Sequence, residues 1–140
     1  MIQQGLTTSF KQEMLQAGQN LLTDTLKMAL YIATADIGPQ TTVYTTTGEV
    51  SGTGYSAGGV VITGVTIGVD PTSGVVYVDF DDVSWPGANF TARGALIYNT
   101  TQSNKTVAVL DFGSDKLFTS STNTVTMPAN TATTALIRFP

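Results

Sequence analysis

The stretch from Phe90 to Gly113 contains two apolar runs on either side of a polar segment. Ala95 to Tyr98 forms the first run and Val107 to Phe112 the second. The segment between them is rich in Asn, Thr and Ser, whose side chains favour turns, so the pattern predicts a β-hairpin. Its arms are apolar on both faces, whereas an antiparallel strand with one face in water should alternate. We therefore expect both faces to be covered, either by the rest of the chain or by a neighbouring subunit.

A short helix is predicted to follow a loose polar arm at residues 1–8. Ser9 stands three residues before Gln12, which is the spacing of a capping box, and Gly18 favours a helix end. A helix of about ten residues is too short to be stable alone. Its apolar side must therefore lie on another surface, either an open end of its own sheet or a neighbouring subunit.

The apolar side of this helix is formed by Phe10, Met14 and Leu15, which recur at helical intervals. We predict that these three side chains, together with Tyr55, contact a partner. The chain then divides into an arm with a short helix at residues 1–22 and a β-sandwich domain at residues 23–140.

Most of the remaining sequence has the period of β-strands. From Leu26 to Ile32 apolar residues alternate, which predicts a strand with one face in the core. Residues 60–80 are interpreted as a second hairpin around a Pro- and Gly-containing turn, a short strand is expected near Val43, and Ala135 to Phe139 forms a closing strand. About eight short strands without intervening helices indicate an all-β fold. We predict an antiparallel β-sandwich or jelly-roll-like barrel with a short N-terminal helix.

Charged residues make up only 11% of the chain, against about 25% in an average soluble domain. The net charge is −4 and the six cations are scattered, which argues against nucleic acid or an anionic membrane as a partner. Weak charge also permits association of copies, although an ordinary all-β domain with a Thr-rich exterior fits as well. Because the central strands are apolar on both faces, we expect the sheet to have more apolar surface than one copy of the chain can bury.

The absence of His and Cys excludes a Ser-His-Asp triad, a thiolate nucleophile and any His-containing zinc site. It also leaves the redox compartment undetermined. The N-terminus carries no basic-then-apolar signal pattern, and no apolar run approaches about 18 residues, so a soluble, unprocessed chain is expected.

Carboxylates are the remaining side chains that could form a catalytic or metal-binding site. Asp79, Asp81 and Asp82 lie within four residues, but Asp79 and Asp81 share one strand face while Asp82 points away, and the segment lacks the pattern of a calcium loop. Asp111 and one of these residues could form a glycosidase-like pair only if the fold brought them together. We predict no catalytic residues, no metal site and no cofactor.

Three further residue patterns have structural interpretations. The glycines at 52 and 54, with Ala57, match a dinucleotide-binding spacing, but a strand-like segment follows them where the motif needs a helix, so we predict a turn or loop. Arg93 is expected to pair with Asp79 or Asp82 because a buried cation needs a carboxylate. Trp85 is expected to fill the core at a strand end.

Four segments resemble a family of small virion proteins of tailed bacteriophages, over roughly residues 26–116. They are MALYIATADIG, TTVYTTTGEVSGTGYSAGG, VDFDDVSWPGANFTARGALIYN and KTVAVLDFGSDK. The resemblance implies a virion component, most simply a head decoration (cement) protein made in the host cytoplasm and bound to the outer surface of the capsid. It supplies no catalytic residues.

The resemblance implies the major capsid protein as a partner. Low charge, a Thr-rich exterior and strands apolar on both faces favour association of copies, and we predict a homotrimer in which the amino-terminal arm and helix reach a neighbour. The alternative is a tail or head-fibre appendage that binds host-surface carbohydrate or a receptor. That alternative would need exposed aromatic side chains such as Tyr44, Tyr55 or Trp85 clustered on one rim.

Overall fold

The computed structural model describes residues 1–139. Over this range the chain contains one helix and ten strands. In chain order they are β1 (Gly5–Leu6), α1 (Thr8–Leu15), β2 (Leu26–Tyr31), β3 (Val60–Val61), β4 (Thr66–Val69), β5 (Val76–Asp79), β6 (Val83–Ser84), β7 (Phe90–Asn99), β8 (Lys105–Phe118), β9 (Thr124–Val125) and β10 (Ile137–Phe139). The strands form three antiparallel sheets.

The largest sheet has five strands in the order β1-β8-β7-β2-β3, and it packs with a three-stranded sheet in the order β10-β5-β4. β6 and β9 form a third sheet of two strands. One core cluster contains Met28 and Ile97 from the large sheet together with Val78 and Ile137 from the small one. The prediction of an all-β sandwich with a short N-terminal helix is therefore confirmed.

The central hairpin is also confirmed, and it is longer than the apolar runs suggested. β7 and β8 pair from Phe90 opposite Phe118 to Asn99 opposite Lys105, with irregularities in register after Ala92 and after Ile97. The turn uses a left-handed backbone at two consecutive residues, Ser103 (φ 57°) and Asn104 (φ 61°). Asn tolerates this conformation better than most residues, which suits it to the turn.

Both faces of the central strands are covered, as expected, and the same chain supplies both covers. Alternate residues of β2 and β7 enter two separate cores. The outer core consists of Ala29, Tyr31, Leu96, Tyr98 and Val109, covered by Ile2, Ala35 and Ile37. The expectation that this sheet has more apolar surface than one copy can bury was therefore wrong, because residues 1–3 and the excursion after β2 bury the second face.

The helix begins two residues earlier than its sequence pattern indicated. Thr7, and not Ser9, is the N-cap: its side-chain oxygen accepts a hydrogen bond from the backbone N–H of Phe10 (3.3 Å). Thr7 is extended because its own N–H donates to the carbonyl of Val107 (3.0 Å), continuing the pairing of β1 with β8. A strand that ends in an extended Thr fixes the helix start, which local spacing alone did not reveal.

The end of the helix differs in detail from the predicted glycine stop. Helical structure ends at Leu15, and Ala17 takes the left-handed backbone (φ 55°) that glycine usually supplies at this position. The N–H of Gly18 then donates to the carbonyl of Glu13 (2.7 Å). The helix therefore ends three residues before the predicted glycine, and Ala17, which has a Cβ, adopts the strained conformation.

The hairpin predicted at residues 60–80 is confirmed from Thr66 to Asp79, where β4 and β5 pair across the predicted turn, but residues 60–61 do not belong to it. β3 pairs with β2 in the large sheet, while β4 pairs with β5 in the small sheet. The chain changes sheet at Gly64 (φ 66°), where a Cβ would lie 2.2 Å from the carboxylate of Asp81. Only glycine fits this crossing, so the apparent single strand is two.

Two other predicted strands are shorter than expected, and the proposed boundary after residue 22 does not separate two cores. Val43 makes a single bridge to Lys105, and the closing strand is reduced to β10. Ile2, Phe10 and Leu21 are buried in the same clusters as the sheet residues. The N-terminal segment is therefore an integral part of the sandwich.

Candidate binding groove

An open apolar groove lies between α1 and the small sheet. We call it the helix–sheet groove, and its volume is about 660 Å³. Its apolar walls come from one end of the helix and one face of three strands: Met14, Leu15, Ile67, Val76, Val78 and Phe139. Lys11, Gln19 and Asn20 also line it, and the lining residues within the described chain include no carboxylate. An apolar concave surface with few polar groups is suited to binding an apolar group or segment.

The groove follows from the register of the small sheet. Ile67, Val78 and Ile137 form one row across β4, β5 and β10, and Val69, Val76 and Phe139 form the next. Directly paired residues lie on the same face of a sheet, so these six side chains form one apolar surface. The helix ends at Leu15 and covers only part of this surface. Val78 and Ile137 are buried in the core shared with the large sheet, while Ile67 and Val69 remain exposed.

The helical residues predicted to contact a partner divide into two kinds. Phe10 is fully buried in the core, where it holds the helix to the sandwich and offers no surface to a partner. Met14 and Leu15 line the groove, and Leu15 is 91% exposed. Because Phe10 anchors one side of α1, the groove wall formed by Met14 and Leu15 has a fixed position.

Two charged side chains tie the same helix to the central hairpin. Glu13 is buried on α1, and its Oε2 lies 3.2 Å from the Nζ of Lys105 at the start of β8. Thr7 at the helix N-cap is joined to Thr106 by a hydroxyl–hydroxyl hydrogen bond of 3.0 Å. The groove wall is therefore held by core packing, by an ion pair and by a buried hydrogen bond.

Tyr55 lies apart from the groove, in a cluster centred on Glu49. The Glu49 carboxylate accepts hydrogen bonds from the hydroxyls of Tyr44 (2.5 Å) and Tyr55 (2.6 Å) and from the N–H of Gly58 (2.7 Å). The Tyr55 hydroxyl also accepts from the backbone N–H of Leu30 (2.9 Å). This arrangement holds the long excursion after β2 over the outer core, so the role of Tyr55 in one copy is structural.

Burial and the negative charge of Glu49 stabilise the protonated form of the tyrosines around it. Burial first, and then Glu49, raises the pKa of Tyr98 to about 12. The pKa values of Tyr44 and Tyr55 are also raised, by burial and by their hydrogen bonds to Glu49. Tyr44 and Tyr98 stack with ring centroids 4.6 Å apart. The cluster can accept hydrogen bonds and pack, but neutral phenols are poor bases, so it does not resemble a proton-transfer site.

The aspartates that the sequence brings close together do not converge. The Asp81 carboxylate accepts from the hydroxyl of Thr63 (3.1 Å), and the Asp82 carboxylate accepts from the N–H of Met127 (2.7 Å). One oxygen of Asp79 is buried without a hydrogen-bond partner. Across residues 1–139, no group of three or more acidic side chains is arranged to hold a metal ion.

Arg93 pairs with Asp111, and not with Asp79 or Asp82. Its Nε donates to the Asp111 carboxylate at 3.0 Å, since the β7–β8 ladder sets Gly94 opposite Asp111. The backbone N–H of Gly113 and the Arg93 guanidinium hold the pKa of Asp111 below its ordinary value. This ion pair uses the carboxylate that a glycosidase-like pair would have needed.

The glycine-rich loop and Trp85 have the structural roles predicted for them. Gly54 has a φ of 83°, and a Cβ there would lie 2.6 Å from the carbonyl oxygen of Gly87. The loop leads into β3 and not into a helix, so it lacks the geometry that binds a dinucleotide. Trp85 is buried and meets Phe118 edge-on with centroids 5.7 Å apart.

The sequence interpretation missed the sheet side of the groove. Ile67, Val69 and Phe139 were read as ordinary strand residues, because which face is left uncovered depends on where α1 ends. The available signal was the charge-free run VVITGVTIGV at residues 60–69.

None of the helices in the described residues has the length and apolar character needed to cross a membrane. No family model, no curated protein and no solved structure matches the chain. The function proposed below therefore depends on the groove and on an expectation drawn from the sequence alone.

Proposed function

We propose that the chain is a structural protein of a tailed-phage virion, most simply a decoration (cement) protein that binds outside the capsid and has no catalytic role. The observation that carries this proposal is the helix–sheet groove, an exposed apolar surface on a sandwich whose cores are otherwise closed. The resemblance of residues 26–116 to small virion proteins supplies the biological setting. The groove would receive apolar side chains of the capsid protein.

Burial at the groove provides the binding free energy. Leu15 is almost fully exposed in one copy, and complete burial of such a side chain contributes about 2 kcal/mol. Met14, Ile67 and Val69 add further exposed apolar surface around it. A few such contacts bind weakly in one copy, but many copies on one shell stabilise it collectively through multivalency.

A carbohydrate- or receptor-binding appendage would present aromatic rings on one rim. Trp85 is buried, and the hydroxyls of Tyr44 and Tyr55 are bonded to Glu49. No observation in residues 1–139 favours this second function. The sequence predicted a homotrimer mainly because the faces of the central sheet were expected to be uncovered. Both faces are covered within one copy, so we do not propose a homotrimer.

The proposal is tested on the parent particle. Mass spectrometry of purified virions should detect the chain, and electron cryomicroscopy should place its density on the outer capsid lattice. Absence from the purified particle would overturn a virion role. Density confined to the tail would overturn the decoration role and leave the virion role standing.

The groove is tested separately with point variants, because deletion of residues 1–22 would remove Phe10 and Leu21 from the core. Leu15→Ser should weaken binding to capsids that lack the protein by about tenfold or more, as expected for the loss of a buried leucine. Leu22→Ser changes an exposed leucine outside the groove and serves as the matched control. Equal binding by both variants would show that the groove is not the contact surface.

A further inference from the structure

The outer edge of β4 carries unpaired backbone groups. β4 pairs with β5 on one side and lies at the end of its sheet. The N–H of Asp70 donates to the carbonyl of Val75 (2.9 Å), which marks that pair as hydrogen-bonded. Because bonded and non-bonded pairs alternate in an antiparallel ladder, the N–H and C=O groups of Ile67 and Val69 point away from β5. This edge can therefore accept another strand.

The other edges in the described chain are protected and this one is not. β1 and β3 have two residues each, β10 carries Arg138, and the outer half of β8 carries Asp111, Asp115 and Lys116. Short length and charge are the usual ways in which proteins prevent edge-to-edge pairing. β4 contains no charged residue, and Ile67 and Val69 are exposed on it. A free, uncharged edge of this kind favours strand addition.

We propose that two copies of the chain associate through β4, in antiparallel register about a two-fold axis at Gly68. This register opposes Ile67 to Val69 of the second copy, so the outward backbone groups of both strands form four hydrogen bonds. The strand is self-complementary, as a two-fold interface requires. Asp70 faces Thr66 of the second copy, so the contact opposes no like charges. Gly68 faces Gly68 of the second copy in a non-bonded pair.

Pairing through β4 joins the two small sheets into one sheet of six strands, three from each copy. A two-fold axis perpendicular to that sheet places both helix–sheet grooves on the same face. Ile67 and Val69, which are half exposed in one copy, then lie in the middle of a continuous apolar surface. The inference does not depend on the proposed virion role, since it concerns only the contact between copies.

The test is the oligomeric state of the whole chain and of two matched variants, by light scattering and sedimentation. Val69→Lys places a charge at the proposed contact, and Val61→Lys makes the same change on β3; these valines are 60% and 48% exposed, so both variants are expected to fold. We expect a dimer whose dissociation constant rises at least tenfold with Val69→Lys and stays unchanged with Val61→Lys. A monomer at all concentrations, a different copy number, or a dimer that ignores Val69→Lys would overturn the proposal.

Hydrogen exchange on the unaltered protein gives a test that needs no variant. The amide of Gly68 lies in a bonded pair within one copy, whereas the amides of Ile67 and Val69 are free until a second copy binds. Raising the protein concentration should therefore slow exchange at residues 67 and 69 selectively. If the protein dimerises and these two amides still exchange at the monomer rate, the contact lies elsewhere and the proposal fails.

Discussion

Replacing Glu49 by alanine is the most informative single change outside the groove. Its carboxylate is the common acceptor for the hydroxyls of Tyr44 and Tyr55 and for the N–H of Gly58. Glu49→Ala leaves three donors without their acceptor and removes the attachment of the excursion that covers the outer core. We expect the variant to fold, because the two core clusters do not include Glu49.

The expected loss of stability follows from the number of hydrogen bonds. A hydrogen bond to a charged group contributes about 1.5–3 kcal/mol when it is buried. Glu49 is half-buried, so water replaces part of each interaction, and we take about 1 kcal/mol for each of the three bonds. The entropy of unfolding for 140 residues is about 0.3 kcal/mol/K near the midpoint, so a loss of about 3 kcal/mol lowers Tm by about 10 °C.

Thermal and urea unfolding followed by circular dichroism measure this change, with the exposed Asp115→Ala as the control for loss of one carboxylate. Hydrogen exchange should also accelerate between residues 43 and 59 before the central hairpin opens, because that segment loses its attachment first. A Glu49→Ala protein within about 0.5 kcal/mol of the parent chain would refute the reasoning, since that is the range of ordinary surface substitutions.

Three further predictions concern stability. Ala17→Gly should stabilise the protein by about 0.5–1 kcal/mol, because Ala17 has a left-handed backbone that glycine adopts without strain. Ala57 has an ordinary φ, so Ala57→Gly should not stabilise the protein, and urea unfolding of the two variants compares them. Phe10→Ala should cost about 3–5 kcal/mol and Leu15→Ala under about 0.5 kcal/mol, and equal losses would contradict their assigned burial. The pKa of Tyr98 is about 12 in the folded protein and 10 in the unfolded chain. The stability that its protonated form gives the folded state is therefore complete below pH 10 and is lost as the pH rises towards 12. Tyr98→Phe should flatten this fall, and an unchanged profile of stability against pH would exclude Tyr98 as its source.

Local patterns predicted the elements whose partners are close in sequence. The hairpin of β7 and β8 was visible because its apolar runs flank a turn, and the first strand was visible from its alternation. Both covered faces were also predicted, since neither arm of the hairpin alternates. In the hairpin, the residues that pair lie within about 25 positions of each other, so the local sequence pattern was sufficient to predict the pairing.

Features that depend on distant pairing were not predictable in the same way. The N-cap is Thr7 because β1 meets β8, far along the chain. Arg93 and Asp111 lie within one hairpin, but the register that pairs them is not visible in the local pattern. The helix–sheet groove depends on the end of α1 and on β10 joining β5, and neither follows from the local pattern of β4. The sequence identified Met14 and Leu15 as surface candidates but could not distinguish them from Phe10, because helical periodicity does not say which residue points directly into the core.

The pairing of Gly5 with Val109 makes the helix depend on a strand that the ribosome produces about a hundred residues later. Contacts between such distant segments form slowly, because the long intervening loop must close first. The helix is too short to persist before β8 is in place. We therefore expect the wall of the groove to form late in folding, so that under the proposed function an incompletely folded chain would lack the surface that binds a partner.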